Sequence, residues 1–199
     1  MAVIEIAPRP SGLSARQRWS HYFVLIYAVV AVIIGLNLRE STLNATVPYS
    51  NSGAGIRAYY PERWLLDTSG DYVFRVRDMS QMGFKTTIEV EVQPVTINTT
   101  ARNLLDTLTL ARARTLSRYN VVGTDPYMLP NEREATAMTY VFVSGDDNPF
   151  LESFPVVVEG IDVITIQSGQ AIIVTLLSDK DTFEQNLPIF ERFLNDLEF

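Results

Sequence analysis

From Tyr22 to Leu38 the chain reads YFVLIYAVVAVIIGLNL, an apolar run interrupted only by Asn37 and bracketed by Arg18 and Arg39. At about 1.5 Å per residue such a run covers roughly 26 Å. Uncharged Trp19, Ser20 and His21 bring it to the roughly 20 residues that a bilayer core requires. No later segment offers a second span, so one transmembrane helix over residues 21–38 is predicted. The leading tail carries Arg9, Arg16 and Arg18 against Glu5, whereas Arg39 stands beside Glu40. That asymmetry places the amino terminus in the cytoplasm and the rest of the chain outside it, at the cell membrane. Trp19, Tyr22 and Phe23 cluster where the helix leaves the cytoplasmic headgroups, as amphipathic rings do. Cleavage as a signal peptide is disfavoured. The run is longer than an ordinary h-region, and the nearest A-x-A-like triplet, Leu43-Asn44-Ala45, puts leucine where a small residue is needed.

About 150 residues beyond a connector suffice for one domain with a packed core. From Glu40 onward there are 22 acidic and 12 basic residues, a net charge of −10. That balance excludes a nucleic-acid partner, since phosphate binding needs clustered Lys and Arg. The chain has no cysteine, so it holds no disulfide, thiol nucleophile or lipid-modified cysteine, and packing alone must stabilise it.

Four parts are expected: a cytoplasmic basic tail over 1–20, the transmembrane helix over 21–38, a polar linker over 39–54 and an extracytoplasmic domain over 55–199. Within the domain, alternating or β-rich runs predict strands over 55–60, 72–76, 86–95, 135–144, 155–167 and 170–177. Gly160-Ile161-Asp162 and Ser168-Gly169 read as turns between antiparallel neighbours. A helix over 100–119 carries Leu104, Leu105, Leu108, Ala111 and Leu116 on one face. A second, over 181–197, starts at Ser178 with Asp181 three residues on and buries Phe183, Leu187, Phe190 and Leu194; Pro188 predicts a break or kink near Asn186. Sheet plus helices makes the fold class α+β, with an antiparallel β-sheet flanked by helices. Neither an internal repeat nor low-complexity sequence is present.

The run Tyr59-Tyr60-Pro61-Glu62-Arg63-Trp64 resembles the tyrosine-proline-x-x-tryptophan opening of PsbP-like domains, and the order of later elements agrees with that family over about Tyr49 to Phe199. The resemblance implies an α/β/α sandwich. Domains of this family occur as extrinsic subunits at the lumenal face of photosystem II and as anchored exported proteins of bacteria. The plant subunits are soluble after import, whereas this chain keeps a membrane helix, so the resemblance implies the fold without a photosystem II role.

Chemistry in the domain is bounded by the single histidine, His21, which sits at the membrane boundary. Ser-His and Cys-His catalysis and histidine-bound metals are thereby excluded from the domain. Asp146-Asp147-Asn148 lacks the alternating oxygen ligands of a calcium loop and reads as a turn. Lys85 and Lys180, the only lysines, have no motif around them and read as solvated charges. Gly53-Ala54-Gly55-Ile56-Arg57-Ala58 matches G-x-G-x-x-A formally. A linker precedes it and a strand follows, so it reads as a flexible approach to the domain rather than a nucleotide loop. Asn44-Ala45-Thr46 and Asn98-Thr99-Thr100 are glycosylation sequons. No cofactor, metal or catalytic residue is expected.

Two features point to partners. Ala28, Ala31 and Gly35 fall on one side of the span and permit close approach of another helix. Arg102, Arg112, Arg114 and Arg118 put four of the domain's 12 basic residues on one predicted helix, opposed there only by Asp106. Arg112, Arg114 and Arg118 are the candidates for docking an acidic partner or lipid headgroups. The expected function is a non-catalytic single-pass accessory or assembly subunit of a photosynthetic or respiratory membrane complex, touching other membrane protein subunits through span and domain. The alternative is a tethered module that captures a small ligand or peptide with Tyr59, Tyr60 or Trp64 at a cleft.

Overall fold

The computed structural model describes residues 15–145 and 154–199. The tail up to residue 14 and the turn expected at Asp146-Asp147-Asn148 lie outside the described residues. The chain divides into two compact units, Met1–Ala45 and Thr46–Phe199.

In the first unit a single helix, α1 (Ala15–Leu43), contains a stretch from Trp19 to Leu43 long and apolar enough to cross a membrane. Two of the polar side chains near its end satisfy themselves within the helix: Asn37 Nδ2 donates to the Ile33 carbonyl at 3.0 Å and Thr42 Oγ1 to that of Leu38 at 2.9 Å. Such back-bonding lets a polar residue sit in an apolar run without an outside partner. The helix runs on through Arg39–Leu43, where the sequence suggested the start of a linker. Neither proline nor glycine interrupts Arg39-Glu40-Ser41-Thr42-Leu43, so nothing local stops the helix there.

The second unit begins at once with strand β1 (Thr46–Asn51), again inside the expected linker, paired antiparallel with β2 (Ile56–Pro61). The Gly53-Ala54-Gly55 segment is the hairpin turn rather than a flexible approach. Asn51 Oδ1 accepts from the amides of Gly53 and Ala54 at 3.0 and 3.1 Å, and Gly55 takes a φ of +69°, which glycine tolerates without a Cβ clash. β3 (Leu65–Asp67), β4 (Phe74–Arg77), β5 (Thr87–Pro94), α2 (Ala101–Thr115), β6 (Ser117–Leu129), a 3-10 turn (Pro130–Glu132), β7 (Arg133–Ser144), β8 (Val156–Gln167), β9 (Gln170–Asp179) and α3 (Phe183–Asn195) follow. The main sheet has seven antiparallel strands in the order β3-β4-β5-β9-β8-β7-β6.

Each face of that sheet is closed differently. On one, α3 and the β1–β2 hairpin cover Phe74, Val76, Ile88, Val90, Val174 and Leu176, with Phe190, Phe193 and Leu194 as the helix's inner stripe. On the other, α2 seats Leu104 and Leu105 on Met138, Tyr140, Phe142, Val158, Ile164 and Ile173. Ser168 and Gly169, with φ of +51° and +78°, form the expected two-residue turn between β8 and β9.

Gly160-Ile161-Asp162, expected as a turn, lies instead inside β8. Gly160 pairs with Tyr140 across the strands, and a Cβ at Gly160 would come within 2.6 Å of that ring. The glycine is there to admit an aromatic, not to bend the chain. At α3, Pro188 lies within a continuous helix, so the expected break near Asn186 does not occur. Thr182 rather than Ser178 occupies the N-cap. Ser178 is buried, where its hydroxyl joins that of Thr86 at 3.1 Å and accepts from Asn186 Nδ2 at 2.9 Å, a polar pin between helix and sheet.

Candidate functional site

Along α1, Ala28, Ala31 and Gly35 sit at helical spacings of three and four, and the described side chains are exposed. A Cβ built on Gly35 meets nothing within 4 Å. Nothing in this chain's own packing requires glycine at that position.

The arginines of α2 do not form one surface. Arg102, Arg114 and Arg118 are exposed, with Arg118 just beyond the helix in a left-handed conformation, φ +54°, where β6 begins with a bulge. Arg112 turns inward, and its side chain is only 19% exposed. It therefore leaves the docking patch to which the sequence assigned it, and Ala111, expected on the inner face, is exposed instead. What draws Arg112 in is Asp162 on β8, whose side chain is fully buried. The guanidinium grips both carboxylate oxygens, Nη1 on Oδ2 and Nη2 on Oδ1. Its carbon also lies 4.6 Å from the centre of the Tyr140 ring. Thr175 Oγ1 and the Tyr140 hydroxyl donate to the same Oδ1 at 2.8 and 3.3 Å. A buried carboxylate is thus neutralised and hydrogen-bonded as its desolvation demands.

Burial works against the Arg112 charge, but the Asp162 carboxylate and the neighbouring tyrosines outweigh it and raise its pKa. Burial, then Asp162, push the Tyr140 hydroxyl well above its ordinary value, so it remains a donor. Glu91 of β5, half-buried on the same side, is raised mainly by burial against the pull of Gln93. No water-accessible nucleophile or acid-base pair emerges from this cluster. It fastens α2 to the sheet.

Of the aromatic candidates, Tyr60 and Trp64 are core residues beneath the hairpin, and only Tyr59 reaches the surface. Lys180 is exposed, whereas Lys85 donates to the Gln81 carbonyl in the β4–β5 loop. Sequence reasoning missed the neighbours of Lys85 on β4 and β5. Arg75 Nε meets Glu89 Oε2 at 2.5 Å, with its guanidinium 4.2 Å from the Tyr72 ring centre, and Arg77 Nη2 meets Asp67 Oδ2 at 3.1 Å. The only signal was the alternation Phe74-Arg75-Val76-Arg77, which puts both arginines on the face away from the Phe74 core.

No family model and no curated protein matches the chain. Solved structures do. The solution structure of cyanobacterial PsbP (CyanoP) from Synechocystis sp. PCC 6803 is 12% identical, with 77% of this chain and 92% of that one covered and a TM-score of 0.56. LpqN, involved in cell envelope biogenesis of Mycobacterium tuberculosis, is 13% identical with 77% and 89% covered and a TM-score of 0.49. The Saccharomyces cerevisiae Ran-binding protein Mog1p is 7% identical with 77% and 95% covered and a TM-score of 0.47. At such identities the likeness speaks of fold alone. The expectation raised by the Tyr-Pro-x-x-Trp run is met at that level: the unit Thr46–Phe199 has the PsbP-like α+β fold, and an apolar helix that is a candidate membrane anchor precedes it.

Proposed function

We propose that this protein is a non-catalytic, single-pass accessory or assembly subunit of a larger membrane complex, with its amino terminus in the cytoplasm and its PsbP-like domain on the other side. The observation that carries the reading is the span. It is long and apolar enough to cross, its described residues are exposed, and it keeps glycine at Gly35 where its own chain leaves open space. Ala28, Ala31 and Gly35 are the surface for a neighbouring helix; the separately exposed Arg102, Arg114 and Arg118 are the basic side chains offered to an acidic subunit, Arg112 being withdrawn from them.

The test is affinity purification of the tagged full-length protein in mild detergent, beside a variant carrying Ala31→Leu and Gly35→Leu. One membrane complex should accompany the wild type in fixed proportion and be depleted with the variant. Recovery of the protein alone from both would sink the proposal.

A further inference from the structure

Among the described residues, the face of the sheet that α2 covers is not covered to its end. Beyond the helix, β4 and β5 present Arg75, Arg77, Thr87 and Glu89, and with the β4–β5 loop they border a cleft of about 660 Å³. That is the size of sites that take small organic molecules. Two features set its chemistry. Among the described residues its charged lining is Arg75, Arg77 and Lys85 against Glu89, three cations to one carboxylate, in a domain that is otherwise strongly acidic. Phe84, Val156 and Leu177 supply an apolar wall beside these cations. The ring of Phe84 is held edge-on to Phe142 with centroids 6.4 Å apart, so that part of the wall is fixed.

The cations have donors to spare. Arg75 uses only its Nε, on Glu89, and its two terminal nitrogens meet no acceptor among the described residues. Arg77 gives Nη2 to Asp67 while its buried Nε has no partner. Lys85 holds a single backbone carbonyl. Asp67 and Glu89 also orient the two guanidinium groups, and Tyr72 lies under that of Arg75, so the donors are placed in advance of a ligand.

We infer that this cleft is a binding site for a small organic anion, an acidic head of carboxylate or phosphate type on an apolar body. The head engages Arg75 and Lys85, and the body lies against Phe84 and Leu177. The site is independent of the docking role proposed above, since neither the span nor the α2 arginines line it.

The test is calorimetric titration of the full-length protein in a non-ionic detergent. The probes are phenyl phosphate and phenylacetate, with inorganic phosphate and benzyl alcohol as the head and body alone. Saturable binding in the millimolar range or tighter is expected for at least one aromatic anion, and which one binds identifies the head. Phosphate and benzyl alcohol should each bind at least about tenfold more weakly, because each lacks half of the recognition. Lys85→Gln and the paired Arg75→Gln/Glu89→Gln variant should each weaken the bound anion about tenfold with unchanged melting temperature, and Lys180→Gln should not. Absence of saturation by both aromatic anions overturns the inference. So does inorganic phosphate matching them, or indifference of the affinity to both cleft variants while their melting temperatures stay at the wild-type value.

Discussion

Arg112 and Asp162 show what one pair of side chains decides. Replacing Arg112 with leucine would leave the Asp162 carboxylate buried with only Thr175 and Tyr140 as donors, at a cost of about 3–5 kcal/mol. Adding Asp162→Asn removes the stranded charge, so the double variant should be more stable than Arg112→Leu alone in denaturant titration, a coupling that independent sites would not show. Glu91 gives a pH signature. Burial raises its pKa above the ordinary value of 4.5, so the folded state binds the proton more readily than the unfolded one. The stability tied to that proton is present below pH 4.5 and is lost as pH rises through the folded-state value. Glu91→Gln should therefore raise the melting temperature at pH 7, with the gain vanishing in acid; an equal gain at both pH values would count against burial as the cause. From the sequence, Arg112 was legible only as one arginine among four. Its inward turn depends on a carboxylate 50 residues away, and a helical wheel contains no such term.

At the scale of elements, local pattern and tertiary context divide the outcome cleanly. The strands and helices with strong apolar periodicity stand within a few residues of expectation, because the same periodicity that marks them also buries them. β6 was missed. Its sequence, Ser117–Leu129, carries Gly123, Asp125 and Pro126 and shifts register twice against β7. It is one of the sheet's two edge strands, paired on one side only, so proline and bulges are tolerated there and the alternation is blurred. Within β8, the Gly160 that imitates a turn residue is the seat of Tyr140. Gly160→Ala should cost about 1–3 kcal/mol, because the Tyr140 ring is fully buried and has nowhere to retreat. A measured change within 0.5 kcal/mol would mean the β7–β8 pair yields more than its packing implies. The cleft of Arg75 and Lys85 was illegible for a related reason: it is assembled from β4, β5, β8 and β9, and no window along the chain brings those strands together.

For the whole molecule, the division into an apolar helix that is a candidate membrane anchor and a domain with its own two cores separates the proposed site of residence from whether the domain folds. The domain buries its apolar residues on both faces of one sheet without using any residue of α1. A chain starting at Thr46 should thus be soluble and unfold in one cooperative transition, while losing membrane association altogether. The proposed orientation of the full chain rests on charge alone, since Arg16, Arg18 and the earlier Arg9 precede the span whereas Arg39 after it is offset by Glu40. Protease added to intact spheroplasts should therefore remove a carboxyl-terminal tag and spare an amino-terminal one. Reversing the bias, with Arg9, Arg16 and Arg18 replaced by glutamine and lysines placed after Leu43, should invert a measurable share of the molecules. If the reversed-charge variant keeps its carboxyl-terminal tag exposed in full, the folded domain rather than the flanking charge fixes the topology, and translocation of the domain would have to be treated as independent of the span's own flanks.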